Sequence, residues 1–254
     1  MAVPDQPTTA CLIIIGDEIL SGRTRDANLA YLAKWLNDNG VRLAEARVVA
    51  DVHDAIVKAV NECRAAYDYV FTTGGIGPTH DDITAEAIAA AFGVGIDHHP
   101  DAYRLLLDYY GEADFTEARQ RMARVPDGGD LIDNPVSLAP GFQIENVFVL
   151  AGVPEIMRTM LESLRHRITG GRPVRSHSLV AHMPESQLAG ELGQVQADHP
   201  AVQIGSYPFY RNGRPGVHVI IRAEDTDRIA AAAAAVKEAA RQAGGEAVDT
   251  EFEG

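Results

Sequence analysis

Between Ala10 and about Arg167, short β-branched apolar runs alternate with segments whose apolar residues recur at helical spacing. This alternation constrains the fold more than any other feature. Strand-like and helix-like segments in alternation point to an α/β layer structure with a mainly parallel sheet. The first run is Ala10 to Ile15. Leu29, Leu32, Ala33 and Leu36 then mark one buried helix face, with Asp26 placed to cap its start and Gly40 to end it. Val41 to Val49 reads as a second strand, Asp54 to Ala66 as a helix burying Ile56, Ala59, Val60 and Cys63, and Asp68 to Thr72 as a third strand. The next helix is predicted over Thr84 to Phe92, with Gly93 just past its end.

After Gly93 the pattern loosens into an excursion, with helical stretches over Ala102 to Tyr110 and Thr116 to Ala123 and a turn at Asp127-Gly128-Gly129-Asp130 before Leu131-Ile132. Phe142 to Ile144 and Val147 to Leu150 form a hairpin-like pair around Glu145-Asn146, and Gly152-Val153-Pro154 opens a helix through Leu164. Gly170-Gly171-Arg172-Pro173 marks a boundary between a domain over 10–169 and a small α+β domain over 174–249. The smaller unit reads as a strand (Ser176 to His182), a helix (Glu185 to Gln196), two strands (Val202 to Tyr207 and Gly216 to Arg222, joined through Asn212-Gly213) and a helix (Thr226 to Gln242). Residues 1–9 are polar and proline-containing and are expected to fray.

Bulk properties limit the partners. A chain of 254 residues that is 46% apolar can bury a sizeable core. Its 36 acidic against 22 basic residues give a formal charge of −14, which argues against nucleic acid or an anionic membrane as the main partner. No secretory leader is evident and no apolar run approaches membrane-spanning length, so a cytoplasmic protein is expected. Cys11 and Cys63 fall on apolar positions and read as buried reduced thiols.

The stretch best suited to chemistry is Thr72-Thr73-Gly74-Gly75-Ile76-Gly77-Pro78-Thr79-His80-Asp81-Asp82, which turns a buried strand into a glycine loop ending in paired carboxylates. Glycines admit close backbone approach, and the following helix start offers unpaired N–H groups to an anion, so Gly74, Gly75 and Gly77 form a phosphate cradle. The loop contains no Lys or Arg. A divalent cation, Mg²⁺ or Co²⁺, would reconcile a bound phosphate with Asp81 and Asp82, and Asp82 is the favoured ligand. The plainer role for Asp81 or Asp82 is a helix cap. Asp17-Glu18 and Asp51 follow the first and second strands and therefore share the loop's sheet edge, where doubly wound folds bind ligands. Ser137 lacks a hydrolase elbow, His98-His99 reads as a solvated turn, and His177, His182, His199 and His218 lack ligand spacing.

Four ordered motifs carry a family resemblance: Gly16-Asp17-Glu18-Ile19-Leu20-Ser21-Gly22 with Asn28; Thr73 through Thr84; Asn134-Pro135-Val136 with Ala139-Pro140-Gly141; and Gly152-Val153-Pro154 with Met157. Over residues 10 to about 167 the chain resembles the MoaB/Mog molybdopterin-binding domain, in the form found at the N-terminus of competence/damage-inducible protein A (CinA). Residues 174 to about 249 resemble the small segment that follows it there. The resemblance implies a three-layer α/β fold binding a pterin or adenine nucleotide at the strand edge. Thr73, Asn28, Asn134, Pro135, Ser137 and Gly152 are then expected at the ligand beside the three glycines. In the molybdenum cofactor branch, the positions matching Asp82 and Asp51 are tied to metal-assisted adenylyl transfer; the CinA-like branch is associated with hydrolysis of ADP-ribose-type diphosphates. Glu18 or Asp81 would orient the water. A non-catalytic binding or sensing role is the third reading, and a homo-oligomer is expected. This chain departs from the CinA-like pattern where His80 replaces a common lysine, Ser137 a glycine, and Ala151-Gly152-Val153-Pro154 a more proline-rich turn. A protonated His80 would partly replace that lysine at lower pH. Because the nicotinamide mononucleotide deamidase domain of CinA is missing from the sequence, deamidase activity is expected to be absent.

Overall fold

A computed structural model describes residues 7–211 and 213–251. The chain divides into two units, Met1–Gly171 and Arg172–Gly254, at the predicted glycine-rich boundary.

The first unit runs β1 (Thr9–Ile15), α1 (Asp17–Leu20), α2 (Asn28–Asp38), β2 (Arg42–Val49), α3 (His53–Ala66), β3 (Tyr69–Thr73), α4 (Thr84–Phe92), β4 (Ile96–His98), α5 (Pro100–Tyr110), α6 (Glu117–Gln120), β5 (Arg124–Pro126), β6 (Asp130–Ile132), β7 (Gly141–Ile144), β8 (Val147–Leu150) and α7 (Pro154–Leu164). Six strands form one sheet in the order β2-β1-β3-β8-β7-β6. The pairs from β2 to β8 are parallel; those from β8 to β6 are antiparallel.

Alternation along the central strands explains the layers. Cys11, Ile13 and Ile15 point to one face with Val70, Val147 and Val149, where Ile56, Ala59, Val60, Ala87 and Ile88 cover them. Leu12 and Ile14 point to the other with Phe71, Phe148 and Leu150, under Leu32, Trp35, Leu36, Met157, Met160 and Leu161. α3 and α4 thus lie on one face, α2 and α7 on the opposite face, as both-sided apolar strands require. Asp26 accepts the Leu29 N–H at 2.8 Å as expected, and Gly40 closes α2 with φ 72°. The predicted buried face of α2 needs one correction: Leu29 is exposed, and Trp35, which donates to Glu162 Oε1 at 2.9 Å, is the large buried residue there.

The expected tail also ends earlier than its polarity implied. Residues 1–6 lie outside the described part, but Thr9 already belongs to β1 and donates its N–H to Asp68 at 2.7 Å. His98-His99 is not a solvated turn. His98 ends β4, which pairs antiparallel with β5, and His99 Nδ1 accepts the Asp101 N–H at 3.2 Å to cap α5.

The second unit runs β9 (Arg175–Ala181), α8 (Glu185–Asp198), β10 (Gln203–Arg211), β11 (Arg214–Ala223), α9 (Thr226–Gln242) and β12 (Ala247–Thr250). Its antiparallel sheet has the order β10-β11-β9-β12. Leu179, Val217, Val219 and Ile221 pack against Leu188, Leu192, Ile229, Ala232 and Val236 of its two helices. Asn212 of the predicted turn lies outside the described residues. β12 was not predicted, because Ala247-Val248-Asp249-Thr250 is short and carries a charge. Asp225 caps α9, accepting the Asp227 N–H at 2.8 Å and the Arg228 N–H at 3.3 Å. Asp225→Ala should lower the stability of this unit by about 1 kcal/mol, read by chemical denaturation. Among the described residues no helix is long and apolar enough to cross a membrane.

Candidate functional site

Parallel β1, β2, β3 and β8 deliver their carboxyl ends to one edge, and the glycine loop sits there under tight packing. At Gly74, φ is +105° and a Cβ would fall 2.2 Å from the Ile15 carbonyl oxygen. At Gly75, φ is +67° and a Cβ would fall 2.2 Å from Thr84 Oγ1. The buried Thr84 hydroxyl donates to the Gly74 carbonyl, and its N–H to the Gly75 carbonyl, each at 3.0 Å. These two glycines are therefore demanded by a loop wedged between β1 and α4. At Gly77 the same position lies 2.6 Å from Asp82 Oδ2.

Neither carboxylate at the loop's end caps α4. The residue preceding that helix is Ile83, without a side-chain cap, and Asp82 Oδ2 instead accepts the Thr79 N–H at 2.8 Å and the Thr79 hydroxyl. Asp82 is the brace of the turn at Gly77.

The cation that the loop's own sequence lacks comes from the excursion. Arg121 Nη2 donates to the Asp82 carbonyl oxygen at 3.2 Å and lies 3.6 Å from Glu86 Oε1, which Arg124 pairs at 2.5 Å. Two guanidinium groups thus share one carboxylate beside a narrow cleft lined by Gly75, Gly77, Asp82 and Phe142. β4 pairs with β5 in the register Ile96↔Pro126 and His98↔Arg124, folding the segment back against α4. Sequence reasoning missed Arg121 and Arg124 because they lie some forty residues beyond the loop. The one available signal was their three-residue spacing at the entry to the short strand β5, which Arg124 begins.

The acids converge, though not in the pairing expected. Asp51 Oδ2 accepts the Asp17 N–H at 2.8 Å. Burial foremost, and then the nearby charges of Asp17, Glu18 and Asp81, push the Asp51 carboxyl above its ordinary value against the pull of that hydrogen bond. Glu18 folds back over β1's end, where a Cβ on Gly16 would sit 2.6 Å from either of its carboxylate oxygens. The charges bearing on Asp51 are thus Asp17, Glu18 and Asp81, while Asp82 faces the cleft of Arg121. Among the described residues no group of three His, Cys, Asp or Glu side chains is arranged to hold a metal ion.

The Asp51 shift has a measurable sign. Its carboxyl is raised on folding, so between the unfolded and folded values the native state binds more protons, and stability falls as pH rises through that window. Asp51→Asn should raise the melting temperature of the ligand-free protein at neutral pH, because asparagine still accepts the Asp17 N–H without the charge. The gap between variant and wild type should close as pH falls and Asp51 protonates; a gap that stays constant would assign the effect to something other than charge.

The remaining motif residues separate into supports and open positions. Asn134 is nearly fully buried and spends its side chain on its own loop, donating to Ser137 Oγ at 2.6 Å and the Ala139 carbonyl at 2.8 Å while accepting the Val136 and Ser137 N–H groups. It and Ser137 shape the loop rather than reach out of it. Pro135 lines a separate open groove with Tyr31, Arg158 and Thr159, on the α2 and α7 side. Asn28 Nδ2 donates to the Gly152 carbonyl at 2.8 Å, and a Cβ on Gly152 would lie 3.2 Å from Gly74 Cα, so these three positions meet. Asn28 Oδ1 and Thr73 Oγ1 are buried at this end of the sheet without hydrogen-bond partners. A buried polar atom left without any partner costs about 1–3 kcal/mol.

Comparison with known proteins agrees with this architecture. The family model described as "Probable molybdopterin binding domain" matches residues 11–169. The chain belongs to this molybdopterin-binding-domain family. A second model, "FAD synthase, middle domain", matches residues 173–247 of the small unit. A protein of Archaeoglobus fulgidus is 34% identical over 219 residues, covering 85% of this chain and 90% of that one. A CinA-like protein of Salinibacter ruber is 34% identical and covers 73% of this family member, which spans 48% of it. A "Probable FAD synthase" of Caenorhabditis briggsae is 31% identical over 92% of this chain and 50% of its own length. The crystal structure of the CinA protein of unknown function from Thermoplasma acidophilum is 35% identical with a TM-score of 0.60, covering 63% of this chain and 97% of that one.

Proposed function

We propose that the strand-edge site binds a phosphate-bearing pterin or adenine nucleotide and hydrolyses an ADP-ribose-type diphosphate in the presence of a divalent cation. One observation carries this reading: the acids around Asp51 and the guanidinium groups of Arg121 and Arg124 flank the glycine loop between them. Backbone N–H groups and Arg121 would seat the phosphates from the cleft side. Asp51, with Asp81 as the second carboxylate in range, would hold the cation, while Asp82 fixes the turn. Bound there, the cation would polarise a phosphoryl oxygen and lower the pKa of a water. Glu18, whose carboxylate lies beside Gly16, would orient that water.

Adenylyl transfer to molybdopterin is the second reading. The family match favours it, and the same phosphate cradle and carboxylates would serve it. Non-catalytic binding needs only the cradle. Melting temperature with ADP-ribose, FAD, ATP and a pterin, each with and without Mg²⁺, separates the three. A ligand present at 100 times its Kd stabilises the folded state by about 2.7 kcal/mol. Hydrolysis predicts a Mg²⁺-dependent rise with ADP-ribose or FAD followed by product release. A rise without Mg²⁺ dependence or turnover would favour binding alone, and adenylylated molybdopterin formed from ATP would favour transfer.

A further inference from the structure

Cys11 on β1 and Cys63 on α3 are fully buried, and their Sγ atoms lie 3.0 Å apart. That is about 1 Å beyond the bonded sulfur–sulfur distance of about 2.05 Å. The residues are 52 positions apart in sequence, yet they share one layer of the core with Ile13, Ile56 and Val60. Nothing in the proposed chemistry uses them.

We propose that Cys11 and Cys63 are a cross-linking site, closed into an intrachain disulfide by a disulfide-class oxidant such as oxidised glutathione. The hydrogen bond between the thiols, with burial, pushes Cys11 up; the same bond, with the Arg47 guanidinium adding to it, draws Cys63 down. Either thiol can attack first once exposed. When Cys63 leads, its thiolate displaces one glutathione thiolate from the oxidant and forms a mixed disulfide. Cys11 then loses its proton to solvent and attacks Cys63 Sγ, expelling the second glutathione. Two protein thiols and one glutathione disulfide become one protein disulfide and two glutathione thiols.

Both sulfurs are buried, so the oxidant meets them as the chain folds or when α3 opens locally. The bond would tie β1, which leads into Asp17 and Glu18, to α3, which starts two residues after Asp51. The link itself would sit near the start of β1 and toward the end of α3, so it would fix the core layer and not the rim directly.

The test is to refold the full chain from guanidinium chloride in mixed oxidised and reduced glutathione, trap free thiols with N-ethylmaleimide, and read intact mass and melting temperature. The reference is the same chain refolded with excess reductant. Expected are no maleimide label, a mass lower by two hydrogens, and a melting temperature several degrees above that of the reduced protein. Cys63→Ser should form no intrachain link and show no such shift. Two maleimide labels after oxidative refolding would overturn the proposal. So would a disulfide-bonded protein that melts below the reduced one, because the native frame would then reject the bond.

Discussion

Gly74→Ala is expected to cost the first unit about 3 kcal/mol or more, combining a positive-φ penalty with overpacking. The new methyl would fall 2.2 Å from the Ile15 carbonyl oxygen at φ +105°, and the obstacle is backbone, which cannot rotate aside. Gly93→Ala supplies the control. Its φ is +67° and nothing lies within 4 Å of the added carbon, so only left-handed strain of about 1–2 kcal/mol is expected. Chemical denaturation of both variants reads the difference. If Gly74→Ala proves no worse than Gly93→Ala, the loop is not wedged between β1 and α4 as described. Phosphate affinity should fall with Gly74→Ala as well, since relief of the clash moves the cradle itself.

Arg121→Ala is expected to weaken a diphosphate ligand by about 10- to 100-fold, the value of one charge-assisted hydrogen bond of about 1.5–3 kcal/mol. Stability should change little, because the half-exposed Arg121 bridges only the Asp82 carbonyl and Glu86, and Glu86 keeps Arg124. Titration calorimetry with ADP-ribose at fixed Mg²⁺ gives the affinity, and a higher salt concentration should shrink the effect. Unchanged affinity would mean that a cation alone neutralises the phosphate, as the bare loop sequence implied. Arg121→Lys, which retains the charge but loses the planar fork, should fall between the two.

The mainly parallel sheet was legible because strand-like and helix-like segments alternate in sequence order, which leaves few alternatives. Ile56, Ala59, Val60 and Cys63 of α3 are buried as their spacing predicted, and α4 spans Thr84–Phe92 as predicted. The short elements were less legible. β4, β5 and β12 have three or four residues each, too few for a period to emerge, and their partners are supplied by tertiary structure. Asp17, Glu18 and Asp51 share one sheet edge as their strand ends predicted, since a parallel sheet fixes which edge receives them. Local hydrogen bonding could not be read the same way. Asp82 bends to Thr79 and Asn134 satisfies its own loop, whereas the pattern of residue types was equally compatible with ligand contact. The loop's missing positive charge was a sound sequence observation with an incomplete conclusion, because Arg121 returns over α4 from a segment with no clear periodicity.

The most direct measurement is release of AMP and ribose 5-phosphate from ADP-ribose by wild type and Asp51→Asn, each with Mg²⁺ and with a chelator. Hydrolysis by wild type should require Mg²⁺ and fall on the order of 100-fold in Asp51→Asn, with the variant folded and melting no lower than wild type. Equal turnover by the two proteins, or wild-type turnover undiminished by the chelator, would contradict cation-assisted chemistry at Asp51.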